Sequence, residues 1–246
     1  MNEDNSSGKK NNEAEKLRKE LEAVKKELRD FAYIVSHDLK APLRAINQLA
    51  NWIHDDYADS FDEDGKEQMQ FLMKRVKRLD ILIDGILLYS RAGREMEAKK
   101  NVDVAEMVNK IIKKLPPDKN VEVSVSGPLP TVFAEPVKIT QIFENLIDNA
   151  ITFMDKPSGK VKITCQDKGD FWEFSVSDNG PGIDPKYHEK IFNIFQTLQS
   201  RDEHESSGVG LSVVKKIIEF YGGQVRIESK AGSGTSVLFT FPKKET

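Results

Sequence analysis

Three glycine-bearing segments stand at junctions where backbone chemistry could be done. Asp178-Asn179-Gly180-Pro181-Gly182-Ile183 directly follows a run with strand-like alternation. Gly208-Val209-Gly210-Leu211-Ser212 directly precedes a helical run, and Gly232-Ser233-Gly234-Thr235 precedes the last strand-like run. Glycines at such places permit positive φ and close approach of the backbone to a ligand. A helix opening at Gly208 to Leu211 presents free N–H groups and a positive dipole end, which suit phosphate oxygens. Asp178, a single carboxylate at a strand end, could accept a hydrogen bond from an exocyclic amine such as that of adenine. Each segment taken singly is also a plain tight turn; the three together argue for a ligand site.

Two further groups of residues could take part. Asn145 and Asn149, in QIFENLIDNA (141–150), are four apart and share one face of a helix. Paired carboxamides facing a glycine-rich loop can hold Mg²⁺ and phosphate oxygens without adding negative charge; capping or surface polarity is the plainer alternative. Glu144 and Asp148 repeat the same spacing and are expected to point elsewhere. Far upstream, His37 is followed by Asp38. A histidine beside an acid is either solvated decoration or a nucleophile with an acid partner. Neither a GxxxxGK[ST] P-loop nor a GxGxxG fingerprint after a first βα unit is present.

The elements that must position these residues can be read from periodicity. Leu17, Leu21, Val24, Leu28, Phe31 and Val35 recur at alternating spacings of four and three among Lys, Glu and Arg, which predicts an amphipathic helix with a coiled-coil seam. The pattern continues through Ile46, Leu49 and Ile53, and Pro42 inside it is expected to kink the helix. Acidic DDYADSFDEDG (55–65) reads as a connection to a second helix from Lys66 to Arg91, with Leu72, Val76, Leu79, Ile83 and Ile86 on one face. One such hairpin buries little; two make a four-helix bundle, so a homodimer is expected.

After a charged, hinge-like stretch from Gly93 to Asn101, strand-like runs appear at 121–127, 159–169, 171–178, 224–229 and 236–241. Helical runs are predicted at Val104–Leu115, Glu135–Met154 and Leu211–Tyr221. Helices set against a mixed or antiparallel sheet give an α/β sandwich. The expected division is a polar, disordered tail at 1–12, a helical hairpin at 13–97 and an α/β domain at 98–246.

Composition narrows the remaining classes. In 246 residues, Lys and Arg total 37 and Asp and Glu 40, a net charge of −3, so nothing in the overall balance argues for nucleic acid binding. The single cysteine, Cys165, rules out an intrachain disulfide and a cysteine-based zinc cluster, and the histidines lack zinc spacing. No apolar run approaches the ~20 residues that span a bilayer, and the polar N-terminus has no signal-peptide core. A soluble, cytoplasmic chain without direct membrane contact is expected, although its parent protein could be membrane-anchored.

The motifs and their order resemble the transmitter module of sensor histidine kinases, in particular those downstream of phytochrome-like and PAS or LOV sensors. FAYIVSHDLKAPLR (31–44) resembles the phosphoacceptor H-box, QIFENLIDNA the N-box, DNGPGI (178–183) the G1 box, IFNIFQ (191–196) the F-box and GVGLS (208–212) the G2 box. The resemblance implies a dimeric helical hairpin followed by a GHKL (Bergerat-type) ATP-binding fold. It also implies ATP and Mg²⁺ as ligands, phosphorylation of a histidine, and transfer to an aspartate of a response regulator receiver domain. By the same resemblance, His37 is the phosphorylated nucleophile and Asp38 orients it by accepting its other ring proton. Asn145 ligates Mg²⁺ and Asn149 sits beside the phosphates. Asp178 binds the adenine amine with Thr235 nearby, and Gly180 and Gly182 line the base and ribose side. Gly208, Val209, Gly210 and Leu211 close on the phosphates, 184–207 forms a mobile lid, and a hinge near 92–100 brings the two parts together.

Related GHKL ATPases carry a general-base glutamate where this chain has Asn145, and a carboxamide cannot take a proton from water at neutral pH. Bound ATP is therefore expected to survive until His37 reaches it. Departures from the family pattern are Thr152 and Thr197, where cations are usual, with Lys186, Lys190 or Arg201 as possible substitutes. Ala41 stands where members with strong phosphatase activity often carry Thr or Asn. A signalling helix at 14–35 implies a sensor N-terminal to it. The alternative from another class is a kinase-like dimer serving as a signalling scaffold with weak catalysis.

Overall fold

A computed structural model describes residues 4–94, 97–116, 120–198 and 207–244. They form two compact units, Met1–Ser90 and Arg91–Thr246. Among the described residues no helix is long and apolar enough to cross a membrane.

The first unit is a helical hairpin. α1 (Asp4–Tyr57) stays helical across Pro42, and its backbone is helical from Asp4, within the stretch expected to be a disordered tail; residues 1–3 lie outside those described. Pro42 has no N–H to give the carbonyl of Asp38, so the helix carries a backbone acceptor without its usual partner beside His37. α2 (Glu63–Ala92) begins three residues earlier than expected, and the connection shrinks to a 3₁₀ turn at Ala58–Ser60 and a short bend. The reason is a cap: Asp62 Oδ1 accepts from Gly65 N at 2.8 Å, and Glu63 and Asp64 place negative charge on the first turn. Leu43, Val76 and Ile83 form the buried seam between the helices. Ser90 Oγ donates to Arg29 O at 3.2 Å, and Lys40 pairs with Asp84. The stripe residues Leu17, Leu21, Val24, Leu28 and Phe31 lie exposed on α1, and Leu72 and Leu79 lie exposed on α2.

The second unit is an α/β sandwich. Its sheet has the order β2 (Val121–Ser126), β4 (Gly159–Lys168), β5 (Phe171–Asp178), β7 (Thr235–Pro242), β6 (Val225–Ser229). β2 and β4 are parallel and the other pairs antiparallel. Alternation sends Val161, Ile163, Phe174, Val176, Val237 and Phe239 to the buried side, where helices cover them. These helices are α3 (Val104–Lys114), α4 (Pro136–Thr152) and α5 (Gly210–Phe220). Phe143 of α4 meets Phe174 edge-on at 5.6 Å and Phe239 at 5.7 Å, the aromatic centre of the core.

The sequence reading missed a two-stranded antiparallel sheet, β1 (Lys100–Asp103) with β3 (Thr131–Ala134). Both strands have only four residues, too few for an alternation signal. Its turn into α3 is capped by Asp103, whose Oδ1 accepts from Glu106 N at 3.0 Å. β1 begins within the charged stretch that was expected to behave as a hinge.

Candidate functional site

The site is a cleft of ≈ 490 Å³ in the second unit, between α4, the end of β5, the start of β7 and the N-terminus of α5. That volume suits a nucleotide-sized ligand. α4 supplies the carboxamides because Ile142, Phe143, Leu146 and Ile147 turn its apolar face into the core, leaving Asn145 and Asn149 on the flank that lines the cleft. Asn145 Nδ2 donates to Gln141 O at 2.7 Å, which fixes the amide and leaves Oδ1 facing Gly210. Among the described residues no protein donor reaches that oxygen.

α5 opens without a side-chain cap. Its N-cap, Val209, is fully buried, and Val209 O accepts from Ser212 Oγ at 2.7 Å. Gly208, Gly210 and Leu211 line the cleft, whereas Val209 faces the core. The uncapped first turn leaves N–H groups for an anion.

Asp178 ends β5 opposite Thr235 in the β5–β7 register, and both line the cleft. Asp178 Oδ1 accepts from Gly180 N at 2.8 Å and from Thr235 N at 3.2 Å, leaving Oδ2 for a ligand. Burial pushes the Asp178 carboxyl above its ordinary range, against the lowering effect of those two hydrogen bonds. Gly180 is absent from the cleft wall, its N–H being held by Asp178, while Gly182 lines it. Gly182 has φ 70, and a Cβ there would lie 2.1 Å from Lys230 O, so only glycine fits.

Ser229 was not foreseen. Its Oγ accepts from Ile183 N at 2.8 Å, donates to Gly234 O at 2.8 Å and lies 3.0 Å from Thr235 Oγ1, so it ties both glycine loops together. Neither its type nor its spacing in the sequence marks that role. The apolar walls, including Phe153, Ile183, Ile191 and Leu198, also carry no signal, because a cleft-lining isoleucine looks like any core isoleucine.

Thr152 and Thr197 both line the cleft, and no Lys or Arg does so among the described residues. Thr197 Oγ1 is buried without a hydrogen-bond partner. Lys186 is paired with Asp184 at 3.1 Å and Lys190 lies on a separate cleft with His188, Lys215 and Arg226. Arg201 lies outside the described residues, as does part of the expected lid at 199–206. The described part of that segment holds 3₁₀ turns at Pro185–Tyr187 and Lys190–Phe192. Phe195 has φ 66 and its N donates to Gly208 O at 2.9 Å.

Among the described residues the donor set fits Mg²⁺ with a phosphate ligand: one carboxamide oxygen without a protein donor, a helix N-terminus beside it, and no competing cation. Among the described residues no group of three or more His, Cys, Asp or Glu could hold a metal, so the ion would depend on phosphate oxygens as co-ligands.

In the first unit, His37 and Asp38 are exposed, at 72% and 73% of their side chains, with Nδ1 and Oδ1 3.2 Å apart. Tyr33 stacks beside the imidazole at 6.4 Å between ring centres.

Residues 134–245 match the family described as histidine kinase-, DNA gyrase B-, and HSP90-like ATPase. The chain carries a GHKL-type histidine-kinase catalytic domain and is related to known sensor histidine kinases. It is 38% identical over 233 residues to the phytochrome-like protein Cph1 of Synechocystis sp., covering 94% of this chain and 31% of that protein. It is 33% identical to the methanogenesis regulatory histidine kinase FilI of Methanothrix harundinacea, covering 91% of this chain and 25% of that one. The solved structure of full-length ShkA in complex with AMPPNP superposes with a TM-score of 0.64 at 25% identity, over 88% of this chain and 47% of that chain. The chain thus spans about a third or less of the curated relatives Cph1 and FilI.

Proposed function

We propose that the chain is an ATP-dependent protein histidine kinase that phosphorylates His37 and passes the phosphoryl group to an aspartate of a response regulator receiver domain. The observation that carries this reading is the cleft, which gathers Asn145, Asn149, Asp178, Thr235 and the uncapped start of α5 around one nucleotide-sized volume. Asp178 Oδ2 would accept from the adenine amine. Asn145 Oδ1 would hold Mg²⁺, which supplies charge neutralisation of the triphosphate. The N–H groups of Gly210 and Leu211 would receive phosphate oxygens.

The contact between His37 and Asp38 supports a nucleophilic role for the imidazole. With the ring proton on Nδ1 and donated to Asp38, the lone pair is on Nε2. Nε2 forms the N–P bond as the bond from the γ-phosphorus to the ADP oxygen breaks, and the Nδ1 proton moves toward Asp38 as the ring becomes cationic. Asn145, a carboxamide, cannot act as a general base toward water, which favours transfer over hydrolysis. His37 and the cleft belong to different units, so transfer requires the γ-phosphate held in the cleft to reach His37. The exposed stripe on α1 and α2 supports a homodimer.

A second reading, a weakly catalytic signalling scaffold, is favoured by the cleft wall, where Thr152 and Thr197 stand and no described residue is cationic. Incubation with Mg²⁺ and γ-labelled ATP separates the two. The kinase reading expects acid-labile, base-stable label that is lost in His37→Gln; the scaffold expects little or none in either.

A further inference from the structure

Glu135 and Lys138 form an ion pair of 3.4 Å with side chains only 1% and 4% exposed. Buried charges are retained at a desolvation penalty, and are tolerated where every donor and acceptor is used. Three of the contacts made by this pair fall on one piece of chain. Lys138 Nζ donates to Ala92 O at 3.2 Å and to Arg94 O, and it also lies 4.1 Å from the centre of the Phe220 ring. Glu135 Oε2 accepts from Glu97 N at 3.0 Å, and Tyr221 OH accepts from Glu135 N at 3.0 Å. Thus Ala92, the last residue of α2, and Arg94 and Glu97 just beyond it are held at three backbone atoms by two side chains at the start of α4. Because the held atoms are backbone, the hold does not depend on the side chains of Ala92, Arg94 and Glu97.

One further observation supports a role at the connector, and a second marks a buried donor within it. Glu135 is the N-cap residue of α4, yet its carboxylate makes no cap to its own helix and reaches Glu97 N instead. Arg94 Nε is buried without a hydrogen-bond partner, so the arrangement leaves a donor unsatisfied in the connector itself.

We propose that Glu135 and Lys138 are positioning residues for phosphoryl transfer: they lock Ala92, Arg94 and Glu97 onto the catalytic unit. The pivot between the units then lies before Ala92, at the last turn of α2, instead of in the 92–100 stretch. This rests on the kinase reading above. A pivot confined to one helical turn restricts the orientations from which the cleft can meet His37, and near-attack geometry is sensitive to displacements of about 1 Å. Loosening the lock leaves the cleft intact and spreads the catalytic unit over unproductive orientations.

The test uses the full chain with Lys138→Met, Glu135→Gln and the double variant. The double variant removes both charges, so no lone buried ion is left to unfold the domain. Hydrogen exchange of the 92–99 amides, affinity for a fluorescent ATP analogue with Mg²⁺, and the rate of His37 labelling at saturating ATP are measured together. We expect exchange at Glu97 to rise at least tenfold, nucleotide affinity to stay within twofold, and labelling to slow tenfold or more. Unchanged exchange, unchanged or faster labelling, or a parallel loss of affinity and labelling would overturn the proposal. A wild-type chain that takes no label would sink the kinase reading and the positioning role with it, while exchange at Glu97 would still decide whether the lock exists.

Discussion

Asn145 Oδ1 and Gly210 face each other across the cleft so closely that a Cβ on Gly210 would lie 2.9 Å from the oxygen. The Nδ2 bond to Gln141 O orients the amide, and the missing side chain of Gly210 keeps its oxygen open to a ligand. Gly210→Ala should displace the carboxamide without harming the fold, because the displaced atom is the end of a side chain and, at a position without positive φ, alanine restricts the unfolded chain by roughly 0.4–1 kcal/mol. The expected outcome is an unchanged or higher melting temperature with about tenfold weaker Mg²⁺-nucleotide binding by titration calorimetry. Unaltered affinity would separate Asn145 from the metal site.

Asp178 should show a conflict between stability and binding. Its carboxyl is raised from the ordinary 3.8 chiefly by burial, so the protonated form favours folding. That contribution is fully present below the ordinary value and is lost as pH rises through the raised one. Asp178→Asn, neutral at every pH, should therefore melt higher than wild type at pH 7, and the advantage should vanish below about pH 4. Asn Oδ1 can still accept from Gly180 and Thr235, but Nδ2 then points a donor at the adenine amine, and nucleotide binding should be lost. A variant that melts lower at pH 7, or still binds ATP, contradicts this account.

Thr197 offers a gain-of-function test. With no described Lys or Arg on the cleft wall and Oγ1 buried without a partner, Thr197→Arg places a cation where phosphate is expected. Affinity for ATP should rise about three- to tenfold, equivalent to roughly 0.7–1.4 kcal/mol, while affinity for adenosine should not move. An equal rise for adenosine would show that phosphate is not what the wall meets.

The exposed stripe predicts association. Leu21→Glu with Leu28→Glu on α1, or Leu72→Glu with Leu79→Glu on α2, should shift the sedimenting species from dimer to monomer at micromolar concentration, because each pair puts charge on the apolar face. A dimer that survives both pairs would place the interface elsewhere.

How much of this was legible in the sequence depended on how far each residue's role was local. The helices of the hairpin showed in the period of their apolar stripe, and the strands of the main sheet in an alternation whose inner face is buried. Asn145, Asn149, Asp178, Gly182, Gly208, Gly210, Leu211 and Thr235 sit in short motifs legible in the sequence, and all of them line the same cleft. Gly180 and Val209 were named with them because they sit inside the same short motifs, but one has its N–H held by Asp178 and the other is core. Ser229 ties two loops that are distant in sequence, and Glu135 and Lys138 grip a connector about forty residues away. Such long-range roles leave no spacing to read. The start of α2 was missed for a local reason: Asp62 is its cap, and an acidic run hid it.

The central claim is that ATP held at the cleft phosphorylates His37. Its most direct measurement is mass-spectrometric mapping of phosphate under neutral or basic conditions, after incubation with Mg²⁺-ATP, in wild type, His37→Gln and Asn145→Ala. The account predicts phosphate on the peptide containing His37 in wild type and none on either variant, with all three sedimenting alike. Phosphate on another residue in His37→Gln at wild-type level, or undiminished phosphate on His37 in Asn145→Ala, would contradict it.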